Sequence, residues 1–234
     1  PVLRLDSIAF GPGLQKKLKL RKELAESLDY QEMQSLFDSP ARPGCVGLSS
    51  ELYETPSKKE ICYEGKKSFT VNPKSSALTY TYSTAGGDDH RRLAEWLQSQ
   101  WLKSLKLNLS LQPLENKIFQ ELIEKKPPLL FRKGLNLESP TCYSALKHFT
   151  SGTPDNFFAL NNSKYDDLVT KLSLANPKQR RRLCGSALRL LMDSYVFIPT
   201  GRIHFAIMVS TAWTGWRLNE LNHLDLSELE ATKP

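Results

Sequence analysis

ALTYTYSTAGGDDHRRLAEWLQSQWLKSLKLNLSLQPLENKIFQELIEKKPPLLFRKGL, residues 77–135, is the stretch that decides the fold class. Its first eight residues, ALTYTYST (77–84), have the β-branched and aromatic content of a strand, and Gly86-Gly87 breaks it. Leu93, Trp96, Leu97, Trp101 and Leu105 then recur at helical spacing, which predicts a helix with one broad apolar face. Asp88 or Asp89 is placed to cap it by accepting from its free N–H groups. Two tryptophans at that spacing read as core. LNLSLQPL (107–114) alternates as a half-buried strand, and 117–124 is helical until Pro127-Pro128, where the hydrogen-bond ladder cannot continue. PLLFRKGL (128–135) is a third strand. Strands alternating with helices predict an α/β fold with a mixed β-sheet flanked by helices.

Upstream, VLRLDSIAF (2–10) alternates like a strand and Gly11-Pro12-Gly13 ends it. Leu14, Leu18, Leu24 and Leu28 predict a helix, and Asp29 opens a second short one through Phe37. Residues 38–66 hold turn chemistry and little periodicity, which reads as a long surface loop. Downstream, Pro140 opens a helix to about Phe149, and two more are expected over 163–174 and 177–195, the last with Pro177 near its first position. VFIPTGR (196–202) and HFAIMVS (204–210) read as closing strands.

Lys and Arg exceed Asp and Glu by 32 to 25, giving a net charge of +7. The basic residues are spread along the chain, and only Arg180-Arg181-Arg182 is dense. No aromatic residues interleave with that run, so it reads as solvated helix surface and no nucleic-acid partner is expected. No run of eighteen apolar residues is present, so no membrane span is expected.

Chemistry-bearing patterns are missing. His90, His148, His204 and His223 share no metal-ligand spacing, and there is neither a GxSxG elbow nor a glycine-rich phosphate loop. Asp88-Asp89 and Asp166-Asp167 lie at expected helix N-termini, where the macrodipole accounts for them. These absences point away from an enzyme, a metal site or a cofactor. The four cysteines form no CxxC. Cys45 and Cys62 bracket one loop, and a bridge between them would contribute about 3 kcal/mol in an oxidising compartment. In a reducing one they stay free. Cys184 lies on an apolar helical stripe and reads as a buried thiol.

Five segments, in order, resemble the bacterial extracellular solute-binding proteins of the oligopeptide, dipeptide and nickel branch. They are RKELAESLDYQEM (21–33), ARPGCVGLSS (41–50), HRRLAEWLQSQWLKSLKLNLSLQPLE (90–115), FTSGTPDNFFALNNSKYDDLV (149–169) and TGWRLNELNHLDLSEL (214–229). The resemblance covers the C-terminal half of such a protein. It implies that residues 1–234 form the C-terminal lobe of a two-lobe, type II periplasmic-binding fold whose N-terminal lobe lies outside this sequence. It implies a monomeric component of an ABC importer that captures a peptide or related small solute and meets the importer's membrane subunits. It also implies a periplasmic or extracellular, membrane-anchored location. Arg132-Lys133-Gly134-Leu135-Asn136-Leu137-Glu138-Ser139-Pro140 is similar to the family's stretch that anchors the peptide amine. Arg132, Gly134, Leu135, Asn136 and Glu138 are therefore the expected ligand-binding residues. Leu135 stands where the family has Trp and Asn136 where it has Asp, leaving Glu138 to supply a carboxylate. Two other readings stay open: a cytoplasmic regulator with a sensor of this fold, and a degenerate lobe acting as a protein-interaction module.

Overall fold

The structure, a computed structural model, describes residues 4–37, 43–46, 61–69, 78–201, 208–219 and 223–232. Strand β1 (Arg4–Phe10) is buried along nearly its whole length, as a strand covered on both faces must be. Pro12–Leu14 make one 3-10 turn, then α1 (Leu18–Glu26) and α2 (Tyr30–Ser35) follow. Asp29 caps α2, its Oδ1 accepting from the N–H groups of Gln31 and Glu32. Strand β2 (Leu78–Ser83), α3 (Gly87–Leu105), β3 (Leu109–Leu114), α4 (Asn116–Lys125) and β4 (Leu130–Asn136) reproduce the order read from 77–135. Neither Asp88 nor Asp89 caps α3. Gly86 is its N-cap without a side-chain bond, because Gly87 turns the chain at φ +59. The two acids instead pair with Arg91 and Arg92 on the first turn.

Helix α5 (Cys142–Leu146) opens at Thr141, whose Oγ1 accepts from the Ser144 N–H at 3.2 Å, two residues later than Pro140 suggested. α6 (Ser163–Leu174) and α7 (Pro177–Asp193) pack on each other, the second entered through a capping box between Asn176 and Gln179. Strand β5 (Phe197–Gly201) closes the sheet. Beyond it, β6 (Trp213–Thr214) pairs with β9 (Glu230–Ala231), and β7 (Arg217–Leu218) with β8 (Leu224–Asp225), as two exposed ribbons. Of the expected strand 204–210, residues 204–207 lie outside the described residues, and 208–210 are not in a strand.

The five-stranded sheet runs β3-β2-β4-β1-β5. β2 is parallel to both its neighbours, and β1 is antiparallel to β4 and β5. The sheet is thus mixed, and the carboxyl ends of β2, β3 and β4 share one edge with the amino end of β1. Trp101 is fully buried and its Nε1 donates to the Leu24 carbonyl at 3.0 Å, tying α3 to α1; Trp96 is buried too, so both tryptophans are core.

Arg21 is a buried fixed point. Its guanidinium donates to the carbonyls of Tyr195 and Ser194 at 2.8 Å each, to Leu14 at 2.6 Å, and to Gln15. It thereby joins α1 to the end of α7, and burial lowers its pKa. Of the stretch 38–66, residues 43–46 and 61–66 are described. Gly44, Cys45, Val46 and Tyr63 are buried, so these pieces pack into the body instead of over it. Tyr63 stacks on Tyr195 at 4.8 Å, and its hydroxyl donates to the carbonyls of Met192 and Phe197. Cys45 and Cys62 are joined by a disulfide across one antiparallel bridge. Cys184 is not a free thiol: it is bonded to Cys142, which fastens α7 to α5. The helical stripe showed that Cys184 faces inward, but its partner lies 42 residues away in sequence, beyond what local spacing reveals.

Candidate functional site

In open α/β sheets the carboxyl ends of parallel strands leave a crevice, because connecting helices diverge there. At that edge this chain concentrates charge. Directly opposite residues of β1 and β4 are Ile8 with Arg132 and Asp6 with Gly134, so Asp6 and Arg132 lie on one face as diagonal neighbours. The Arg132 Nη2 donates to Asp6 Oδ1 at 3.2 Å. Arg4, two residues from Asp6 on the same face, reaches Oδ1 through Nη2 at 3.2 Å and Oδ2 through Nε at 3.2 Å. Asp6 is only 3% exposed, Arg132 11% and Arg4 31%, so the cluster opens toward solvent on the Arg4 side. Gly134 makes this possible: a Cβ there would stand 2.3 Å from Arg4 Nη2.

Two guanidinium groups share one carboxylate, so the cluster holds a net positive charge. Three of its polar atoms, the Asp6 Oδ2, the Arg132 Nε and the Tyr80 hydroxyl, are buried with no hydrogen-bond partner among the described residues. Burial raises the Tyr80 pKa, partly offset by Arg132, and keeps the hydroxyl protonated as a donor. His90 stands at the start of α3 with its Nδ1 2.7 Å from the Ser83 carbonyl. Burial, and then Arg132, lower its pKa, so it is neutral at pH 7. The edge therefore offers guanidinium and hydroxyl donors to an anion, and the Asp6 carboxylate there is ion-paired to both arginines.

The five residues expected to bind ligand are not brought together. Arg132 and Gly134 sit in the cluster, and Asn136, exposed at the end of β4, is in register with Arg4. Leu135 points to the opposite face, buried in register with Leu5. Glu138 lies past the strand and is exposed, its Oε2 accepting from Lys147 Nζ at 2.6 Å. That pairing lowers its pKa. Asp6, Arg4, Tyr80 and His90 were missed. Arg4 and Asp6 belong to a strand 126 residues from Arg132, and only the period-2 placement of 4 and 6 beside 132 and 134 would have signalled them.

On the other face of the same edge, Lys133 Nζ lies 3.8 Å from the centre of the Phe157 ring. His148 is buried, its Nδ1 3.7 Å from the Asp155 carboxylate and its Nε2 without a partner. Burial, then Lys147, lower the His148 pKa.

No protein-family model matches the chain. The dipeptide-binding protein DppE of Bacillus subtilis (strain 168) is 29% identical over 145 residues, 60% of this chain and 26% of that protein. Among solved structures, OppA of Haemophilus influenzae in complex with RPPGFSPFR superposes with a TM-score of 0.82 at 17% identity, over 99% of this chain and 49% of OppA. The murein tripeptide-binding protein MppA of Escherichia coli does so at 0.74 and 18%, over 86% of this chain and 43% of MppA. The chain thus spans about a quarter of the matched curated relative and somewhat under half of these two structures. In sequence and fold it is similar to the peptide-binding substrate-binding proteins of ABC importers, as its motifs imply, and its fold is that of type II periplasmic-binding proteins.

Proposed function

We propose that this chain is the C-terminal lobe of a peptide-capturing component of an ABC importer, and that the Arg4–Asp6–Arg132 cluster is its share of the ligand cleft. The observation that carries the reading is the placement of this cluster at the open carboxyl edge of a sheet whose fold relatives bind peptides. A peptide's amides need hydrogen-bond partners that side-chain-blind backbone and water can supply, while its charged ends need specific partners. With two guanidiniums to one carboxylate, this edge suits a carboxylate end. Glu138, neutralised by Lys147, is a poor anchor for an amine. Binding here requires no catalytic group, and a second lobe would supply the facing wall.

Two disulfides, with no free cysteine among the described residues, favour export over the cytosolic-regulator reading, since such bonds persist in oxidising compartments. Calorimetric titration of the full-length protein with a pool of short peptides tests the function. Saturable heat is expected, with the affinity reduced at least about tenfold by Arg132→Gln, a loss of roughly 1.4 kcal/mol. No heat from any peptide, with the protein folded, would sink the reading.

A further inference from the structure

We propose that Asp6 is a resident carboxylate, a built-in stand-in that holds the two guanidiniums and competes with the ligand's own carboxylate for them. The inference rests on the reading that the cluster faces a peptide end. Asp6 accepts from both Arg4 and Arg132, yet it is almost wholly buried while Arg4 remains part exposed. It therefore occupies the inner side of a pair of forks whose outer side is open. An incoming carboxylate meets Arg4 first and must share or displace Asp6 to engage Arg132. The Arg132 Nε and the Tyr80 hydroxyl are donors left idle beside Asp6, whose Oδ2 likewise accepts no hydrogen bond.

Such an arrangement has a physical rationale. A bare pair of buried guanidiniums would repel, and an uncompensated buried charge is strongly destabilising. Asp6 offsets that in the empty lobe and orients both forks. The consequence is selectivity: the cluster keeps one net positive charge, enough for one carboxylate, and a neutral end gains nothing from displacing Asp6. Specificity of this kind is a difference of affinities set by an internal competitor.

The test compares one peptide with a free C-terminal carboxylate and the same peptide amidated, titrated into the full-length protein as wild type and as Asp6→Asn. The wild type is expected to prefer the acid, and Asp6→Asn to widen that preference about tenfold or more, the low end for a desolvated charge pair. Arg4→Gln, at the more exposed and tolerant position, is expected to abolish the preference. An acid-to-amide ratio that is unchanged or narrowed in Asp6→Asn overturns the proposal. A readout free of peptides separates this from failure of the peptide reading. Acetate, added against equal chloride, should raise the melting midpoint of Asp6→Ala saturably and leave the wild type unmoved. If acetate and chloride act alike on Asp6→Ala, Asp6 is not standing in for a free carboxylate, whether or not peptides bind.

Discussion

Two corners of this molecule each bury an arginine, and they use it in opposite ways. Where α1 meets the end of α7, Arg21 spends its donors on four backbone carbonyls and meets no carboxylate among the described residues. At the carboxyl edge of the sheet, Arg132 pairs with Asp6, shares it with Arg4, and keeps an idle Nε. A guanidinium whose acceptors are fixed backbone atoms is a lock, since its partners cannot leave without unfolding two elements. A guanidinium whose partner is a side chain, near solvent and beside an unused hydroxyl, can exchange that partner for a ligand. Burial alone does not distinguish the two; the identity of the acceptor does.

The contrast breaks first if the lock is not one. Arg21→Met should destabilise the protein by about 4 kcal/mol, because one buried and three part-buried carbonyls lose their donor at about 1 kcal/mol each. Equilibrium urea unfolding measures it, and a change under about 1 kcal/mol would remove the distinction. The middle of α7 is held to α5 by the Cys142–Cys184 bond, which closes a separation of 42 residues. Replacing both cysteines with Ala should cost about 4 kcal/mol and lower the melting midpoint by roughly 10 °C. The Cys45–Cys62 pair, closing 17, should cost nearer 3 kcal/mol on the same argument. Scanning calorimetry of the two double variants ranks them.

Acid should separate the corners by region. His90 and His148 both stand at the carboxyl edge, and both have pKa values lowered chiefly by burial. His148 is faced by Lys147, Asp155, Glu138 and Lys133, and His90 by Arg132, Asp6 and Arg4. Each is neutral in the fold and takes up a proton more readily when unfolded. The unfolded state therefore binds more protons below the ordinary histidine range near pH 6.5, and stability is lost as pH falls through that range toward the depressed folded values. Hydrogen exchange at pH 5 against pH 7 should show faster opening around Lys147–Phe149, a 3-10 turn that follows α5, and around the start of α3. The Arg21 corner, which has no histidine bonded to it, should keep its protection. Uniform loss across both corners would contradict this.

The sequence was informative where local rules operate. α6 and the start of α7 fall where periodicity and Pro177 put them, and Asp29 caps α2 as its type and position suggested. The order of elements through 77–135 is likewise local information. The strand order is not, because β1 inserts between β4 and β5 by pairings 120 or more residues apart. The same distance hid the site. The motif named Arg132 and Gly134 as expected ligand-binding residues, but Asp6 and Arg4 become their neighbours only through the register of β1 on β4. Leu135 was grouped with them because it stands where the resembled motif has Trp, although a strand sends adjacent side chains to opposite faces.

Glu138 is where motif reading and geometry make different forecasts, and the expected effect is the smallest. As an amine anchor it should matter as much as Arg132. As the exposed partner of Lys147, 2.6 Å away and outside the Arg4–Asp6–Arg132 cluster, it should matter hardly at all. Exposed pairs contribute little because water and salt screen them. Glu138→Gln is therefore expected to leave the melting midpoint within scatter and peptide affinity within about twofold, against about tenfold for Arg132→Gln. Calorimetric titration of the two variants side by side decides. Equal losses would move the anchoring group off the sheet edge and onto the α5 side, and the lock-and-exchange contrast would then describe Arg21 alone.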